Sequence, residues 1–211
     1  MTLMPAGIRL TGRAVLVVGG GAVALRKIRL LSRSGARITL ISPDALPAIR
    51  NFAAAGKIVW RRKRWDGRGV GPNPVMVFAC TDDPAVNRKV AAWAKKSGAW
   101  INRADDPAGS NIHIPAIAKT GPILIALFSG GAAPAYVKYL RQRIWRALGP
   151  DISSELRLIA QIRRALKSRV PGAAERKRRL TALLKTGRIR VLAKKSPAAR
   201  RAAVRQLLKE R

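Results

Sequence analysis

Apolar residues in the first half of the chain fall into short β-rich runs separated by longer stretches of helical spacing. Val15 to Val18 is the first run, and it leads through Gly19-Gly20-Gly21 into a helix over Val23 to Ser34 that Gly35 stops. Ile38 to Ile41 is a second strand, Pro43 to Ala55 a helix ended near Gly56, and Ile58 to Arg61 a third strand. Val75 to Ala79 is a fourth strand; Thr81, Asp82 or Asp83 can cap the helix that follows through Ala91 and Trp93, with Pro84 in its first turn. Trp100 and Ile101 begin a fifth strand. Such alternation predicts a parallel sheet covered by helices on both faces. Ligands bind at the carboxyl edge of such a sheet. The chain places Gly19, Ser42 to Asp44, Cys80 to Asp83 and Asn102 to Asp106 there.

After Pro115 the pattern changes. Ile123 to Phe128 is a β-rich run ending in Ser129-Gly130-Gly131, followed by a helix over Ala135 to Leu148 with Val137, Leu140, Ile144 and Leu148 on one side. Asp151 starts another helix with a stripe of Leu156, Ile159, Ile162 and Leu166, and Pro171-Gly172 breaks it. Shorter helices are expected over Ala174 to Leu184, ended by Gly187, and over Pro197 to Lys209, which Ser196 caps. These stripes read as core or subunit interface.

Charge adds a second constraint. The 211 residues hold 43 Lys and Arg against 10 Asp and Glu, a net charge of +33, and positions 135–211 alone carry 23 basic and 4 acidic residues. Polyanions will adhere to such a chain, so binding to nucleic acid in a test tube is uninformative. No aromatic residue follows Trp145 to stack bases, and basic runs such as Arg176 to Arg179 read as solvated helix faces; specific nucleic-acid recognition is not expected. The one cysteine, Cys80, excludes an internal disulfide and agrees with a reducing compartment; it reads as a small buried residue rather than a nucleophile. With His113 the one histidine, there is no zinc pattern and no metal ligand set is expected. The stretch from Ala14 to Leu25 lacks a cleavage site for a leader, and no segment approaches the roughly 18 apolar residues of a membrane span. A cytoplasmic protein is expected.

Two places could carry chemistry. The spacing Gly19-x-Gly21-x-x-Ala24 after an apolar strand allows a tight turn, a close backbone approach to a pyrophosphate, and a helix start whose amides face phosphate. The same turn also serves plain packing. Beyond the fifth strand, the adjacent Asp105 and Asp106 offer a carboxylate that could move protons. They equally allow Asp106 to shape a turn before Pro107 while Asp105 pairs with Arg103. Ser129-Gly130-Gly131 can bring amides and a hydroxyl to a ligand, or be a flexible turn.

Taken in order, Gly-Gly-Gly-Ala-Val-Ala with Arg26-Lys27, Ile-Ser-Pro-Asp at 41–44, Ala-Cys-Thr-Asp-Asp at 79–83, Asn102 to Pro107, Ile112 to Ala116 and Ser-Gly-Gly-Ala-Ala-Pro at 129–134 resemble the siroheme synthase dehydrogenase/chelatase family over nearly the whole chain. The resemblance implies an α/β fold: a Rossmann-like NAD-binding domain over 1–113, a β/α dimerisation segment over 114–148, and a small helical C-terminal domain over 149–211 that helps cover the site. It implies NAD-dependent oxidation of precorrin-2 to sirohydrochlorin, with Asp105 as general base. In bifunctional members the same carboxylate helps strip the pyrrole nitrogens as Fe(II), a substrate, enters. Gly19, Gly21, Ala22, Val23, Ser42, Pro43, Asp44, Thr81 and Asn102 would meet NAD. Ser129, Gly130 and Gly131 would line the tetrapyrrole side, Ser129 matching a serine phosphorylated in some members, and the assembly would be a homodimer.

The match has departures. Ser42 stands at the second strand's end and Asp44 two residues later, an offset that leaves NAD against NADP open, and Ala133 precedes Pro134 where the family often has serine. His113 occupies a usually apolar position; it reads as a strand residue pointing away from the core rather than an aid to iron delivery. The cationic excess suits a substrate with eight carboxylates but exceeds what they require. A non-catalytic NAD-sensing module remains the alternative to an enzyme, with a basic nucleic-acid-binding protein behind it.

Overall fold

A computed structural model describes residues 3–68, 70–71, 73–130, 133–149 and 151–207. Contacts divide the chain into two compact units, Met1–Ile114 and Pro115–Arg211.

The first unit is built on five parallel strands: β1 (Ala14–Val18), β2 (Arg37–Ile41), β3 (Val59–Arg61), β4 (Met76–Ala79) and β5 (Trp100–Arg103), in the spatial order β3-β2-β1-β4-β5. Register runs from Val15 beside Ile38 on one flank and beside Met76 on the other. The order reverses between β1 and β4, which opens a crevice at the carboxyl edge. Three helices cover the sheet: α1 (Ala22–Ser32), α2 (Pro47–Ala54) and α3 (Pro84–Lys96). Alternate strand residues feed two cores. Val15, Val17 and Phe78 pack with Ala24, Ile28 and Ile49, whereas Leu16, Val18 and Val77 pack with Val90, Ala91 and Ala94. Central strands buried on both faces explain the unbroken apolar runs in the sequence.

The expected α2 begins four residues too early. Ser42 Oγ donates to the Asp44 carbonyl at 2.6 Å, and Asp44 Oδ1 accepts from the Ala45 amide at 2.8 Å, so Pro43 to Ala45 form a turn. Leu46, preceding Pro47, is extended (φ −54°, ψ 146°), and the helix starts only at that proline. His113 lies outside any strand: Ile112 and Ile114 pack on the first core, and the segment from 110 to 112 is hydrogen-bonded to β5.

In the second unit, β6 (Ala116–Thr120) pairs antiparallel with β7 (Ile123–Leu127), and α4 (Pro134–Leu148) packs on β6. The sequence pattern missed β6 because alanines dilute its apolar signal; pairing with β7 supplies what propensity does not. Four helices follow: α5 (Ile152–Arg169), α6 (Ala173–Lys185), α7 (Arg188–Ala193) and α8 (Pro197–Leu207). The buried stripe of α5 is Leu158, Ile162, Leu166, a shift from the expected one; Leu156 is only half-buried. The unexpected α7 opens directly after Gly187, which is left-handed (φ 67°), and buries Ile189 and Ala193 against α5. Gly187 therefore both ends α6 and starts a new helix. Positions 208 and 209, expected to extend α8, lie outside the described residues.

Candidate functional site

The glycine turn sits at the mouth of the β1/β4 crevice. Gly19 has φ 108° and its amide donates to the Ile41 carbonyl at 3.0 Å; a Cβ there would fall 2.5 Å from the Cys80 carbonyl oxygen. Gly20 is tighter still: a Cβ would strike the Asp44 carbonyl oxygen and Ala45, and its own carbonyl accepts from the Leu46 amide at 3.0 Å. Gly21, by contrast, faces open space and is the N-cap of α1, with no side-chain cap and no acidic residue in the first turn. The leading amides of α1, at Ala22 and Val23, are therefore left to an anion, and the backbone is bare enough for close approach. This cradle fits the pyrophosphate of a dinucleotide.

At the end of β2, Ser42 is buried and used internally, while Asp44 is exposed. The Ala45 amide, and then Arg50 at 2.7 Å, hold the Asp44 carboxyl below its ordinary pKa, so it stays anionic. Arg62 Nε donates to the Pro43 carbonyl at 3.3 Å, which puts a second guanidinium beside this turn.

Beyond β4, burial pushes the Cys80 thiol up to about 11, so it remains a protonated packing group. Thr81 is locked by a residue the sequence reading overlooked. Asn87, wholly buried, accepts from the Thr81 amide at 3.1 Å and from its hydroxyl at 2.8 Å, and donates to its carbonyl at 3.0 Å. The available signal was a polar residue on the stripe Asn87, Val90, Ala91, Ala94, which is otherwise apolar. Asp83, not Thr81 or Asp82, caps α3, accepting from Ala85 at 2.7 Å and Val86 at 3.3 Å.

Beyond β5, Arg103 grips both acids: its Nη2 lies 2.8 Å from Asp105 Oδ2 and its Nη1 2.7 Å from Asp106 Oδ2. Arg103 is nearly buried, and Asp106 also accepts from the Gly109 amide at 3.0 Å, so Asp106 shapes the turn as one alternative expected. The Arg103 hydrogen bonds hold the Asp105 carboxyl below its ordinary value, against a smaller opposing effect of burial; Asn87 adds weakly to the fall. A charged Asp105 facing the sheet edge can accept a proton, so ion pairing and acid–base work are compatible here. Asn102 Nδ2 donates to the Ile112 carbonyl at 3.0 Å and ties the returning segment to β5.

In the second unit, Ser129 Oγ accepts from the Ala133 amide at 3.4 Å, and Gly130 is left-handed (φ 61°). Gly131 lies outside the described residues. No group of three His, Cys, Asp or Glu among the described residues could hold a metal ion, and no described helix is long and apolar enough to cross a membrane.

Comparison with known proteins agrees with the cradle. The siroheme synthase of Xylella fastidiosa (strain M12) is 36% identical over 176 residues, covering 83% of this chain and 37% of that protein. Siroheme synthase 2 of Aeromonas hydrophila is 36% identical over 178 residues, covering 84% and 37%. The chain thus spans a little over a third of the length of these curated relatives. A solved structure described as SirC, precorrin-2 dehydrogenase, superposes with a TM-score of 0.77 at 25% identity, covering 98% of this chain and 100% of the other. The family profile described as "Putative NAD(P)-binding" matches residues 7–116, the sheet and glycine turn described above, and the chain belongs to that NAD(P)-binding family.

Proposed function

We propose that this protein oxidises precorrin-2 to sirohydrochlorin with NAD. The observation that carries the proposal is an anionic carboxylate, Asp105, held by Arg103 on the same sheet edge as an uncapped dinucleotide cradle. Bound NAD supplies the hydride acceptor. Gly19 and Gly21 give the backbone its shape, the first amides of α1 meet the pyrophosphate, and Asp44 takes the ribose hydroxyls. Thr81 and Asn102 are assigned to the cofactor edge, and Asp105 accepts the proton that the macrocycle gives up as its hydride leaves. Ser129, Gly130 and Gly131 are assigned to the tetrapyrrole. The similarity to a precorrin-2 dehydrogenase over almost the full chain supports this reading.

Anaerobic turnover of precorrin-2 with NAD, followed by absorbance, tests it, with wild type and Asp105→Asn in parallel. Sirohydrochlorin should form with wild type, and the variant should lose roughly 100-fold or more in kcat while still binding NAD. NAD binding without turnover in either protein would instead indicate a sensing module. Adding Fe(II) to the same reaction tests iron insertion, in which Asp105 would again take protons, now from pyrrole nitrogens.

We also infer a homodimer through 114–148. Leu124, Phe128, Tyr136, Tyr139 and Trp145 of this segment are large and exposed, and they support an interface role.

A further inference from the structure

One charged group at the sheet edge has no part in the reaction as drawn. Lys27 sits on α1 immediately before the buried Ile28 and is itself half-buried. Its ammonium lies 5.4 Å from the centroid of the Phe78 ring, and no carboxylate or hydrogen-bond acceptor among the described residues partners it. Burial lowers its pKa; Cys80 opposes that fall and Arg26 adds to it. Methionine or leucine would pack on Phe78 without any desolvation cost, so an unpaired cation here is the expensive choice.

Its placement explains the choice. Lys27 lies five residues beyond Ala22, about 7.5 Å along the axis. Helical side chains lean toward the N-terminus, so the long stem carries the ammonium back toward the glycine turn. It arrives over Phe78, on the β4 side of the crevice and within electrostatic reach of Cys80, whereas Asp44 stands at the end of β2. Lys27, Arg26 and Asp105 all act electrostatically on the Cys80 thiol, which gathers two cations and the proposed base around the end of β4.

We propose that Lys27, with the exposed Arg26 beside it, forms a carboxylate subsite that takes one peripheral acid group of the tetrapyrrole and so registers the ring against Asp105. This subsite rests on the proposed oxidation. The cofactor's phosphates are the other anions at this edge, but they are met by the uncapped amides of α1 on the glycine turn itself.

The test compares wild type, Lys27→Met and Lys27→Arg. Sirohydrochlorin is titrated into NAD-free protein, NAD binding is measured separately, and turnover and the thermal midpoint are recorded for each. Lys27→Met should weaken tetrapyrrole binding and raise KM for precorrin-2 by roughly tenfold or more. NAD affinity should hold within about twofold, the thermal midpoint should stay level or rise because a costly buried charge is gone, and Lys27→Arg should recover most of the affinity. Unchanged tetrapyrrole affinity in Lys27→Met overturns the subsite; if the thermal midpoint falls instead, Lys27 is a packing residue. A drop in NAD affinity with tetrapyrrole binding intact overturns it too, and reassigns the cation to the cofactor. If wild type binds sirohydrochlorin but never oxidises precorrin-2, the activity fails while the loss in Lys27→Met still decides the subsite. If wild type binds no tetrapyrrole, both fall.

Discussion

Arg103 reaches both carboxylates of the turn after β5, and in doing so sets the charge state of the proposed base. A carboxylate held below its ordinary pKa remains ionised over a wider acidic range but is a weaker proton acceptor, so the ion pair trades basicity for readiness. Because Asp105 has a folded pKa below its unfolded one, its stabilising contribution is present above about pH 3.9 and is lost as pH falls through the folded value. Arg103→Met should therefore move the acid limb of kcat/KM upward, toward the ordinary aspartate range, in a pH–rate series; Arg103→Lys should leave the limb nearer its original place. Asp44 makes a second residue-level case. Its carboxylate is the group that would hold the ribose and repel a 2′-phosphate, while Arg50 and Arg62 stand beside it. Asp44→Ala should raise KM for NAD roughly tenfold and bring NADP turnover closer to it, as steady-state kinetics with both cofactors will show. Both aspartates were picked out in the sequence. The spacing left pairing and proton transfer both open for Asp105; the structure shows the pairing with Arg103, which leaves the carboxylate charged, and proton transfer is the role proposed for it.

Among elements, α3 shows how a single polar position holds a loop. Asn87 satisfies the amide, hydroxyl and carbonyl of Thr81 from inside the helix's buried face. Asn87→Ala leaves the Thr81 amide and carbonyl without partners, while the hydroxyl keeps the Asp83 carbonyl at 3.0 Å; it should cost about 1–3 kcal/mol, read as a lower urea midpoint with an unchanged m-value. The helices and strands of the first unit were largely legible because caps, proline positions and apolar runs act over a few residues. Where the reading slipped, a local rule was overruled by another. The Ser42–Asp44–Ala45 turn delayed α2, and the pairing of β6 with β7 compensated for a weak strand sequence. The α5 stripe shifted because Leu158, rather than Leu156, meets Ile189 and Ala193 of α7, a helix the sequence reading did not contain.

At the scale of the whole molecule, +33 charges act together on any polyanion. Charge screening shortens to about 3 Å at 1 M salt from about 10 Å at 0.1 M, so KM for an eight-carboxylate substrate should rise several-fold across that range while kcat changes little. The exposed apolar residues of β7 and α4 belong to the same scale: light scattering should report a dimer, and Tyr139→Glu should shift it toward monomer. From sequence alone came the parallel α/β character of residues up to 113, the glycine turn and the acidic pair after the fifth strand. Each of these rests on residues adjacent or a few positions apart. Gly20 against Asp44, Asn87 beneath Thr81 and Lys27 over Phe78 required the folded chain. Parallel crossovers bring positions such as 27 and 78 together only once the sheet is assembled, and no periodicity along the chain encodes which of two distant side chains will then be neighbours.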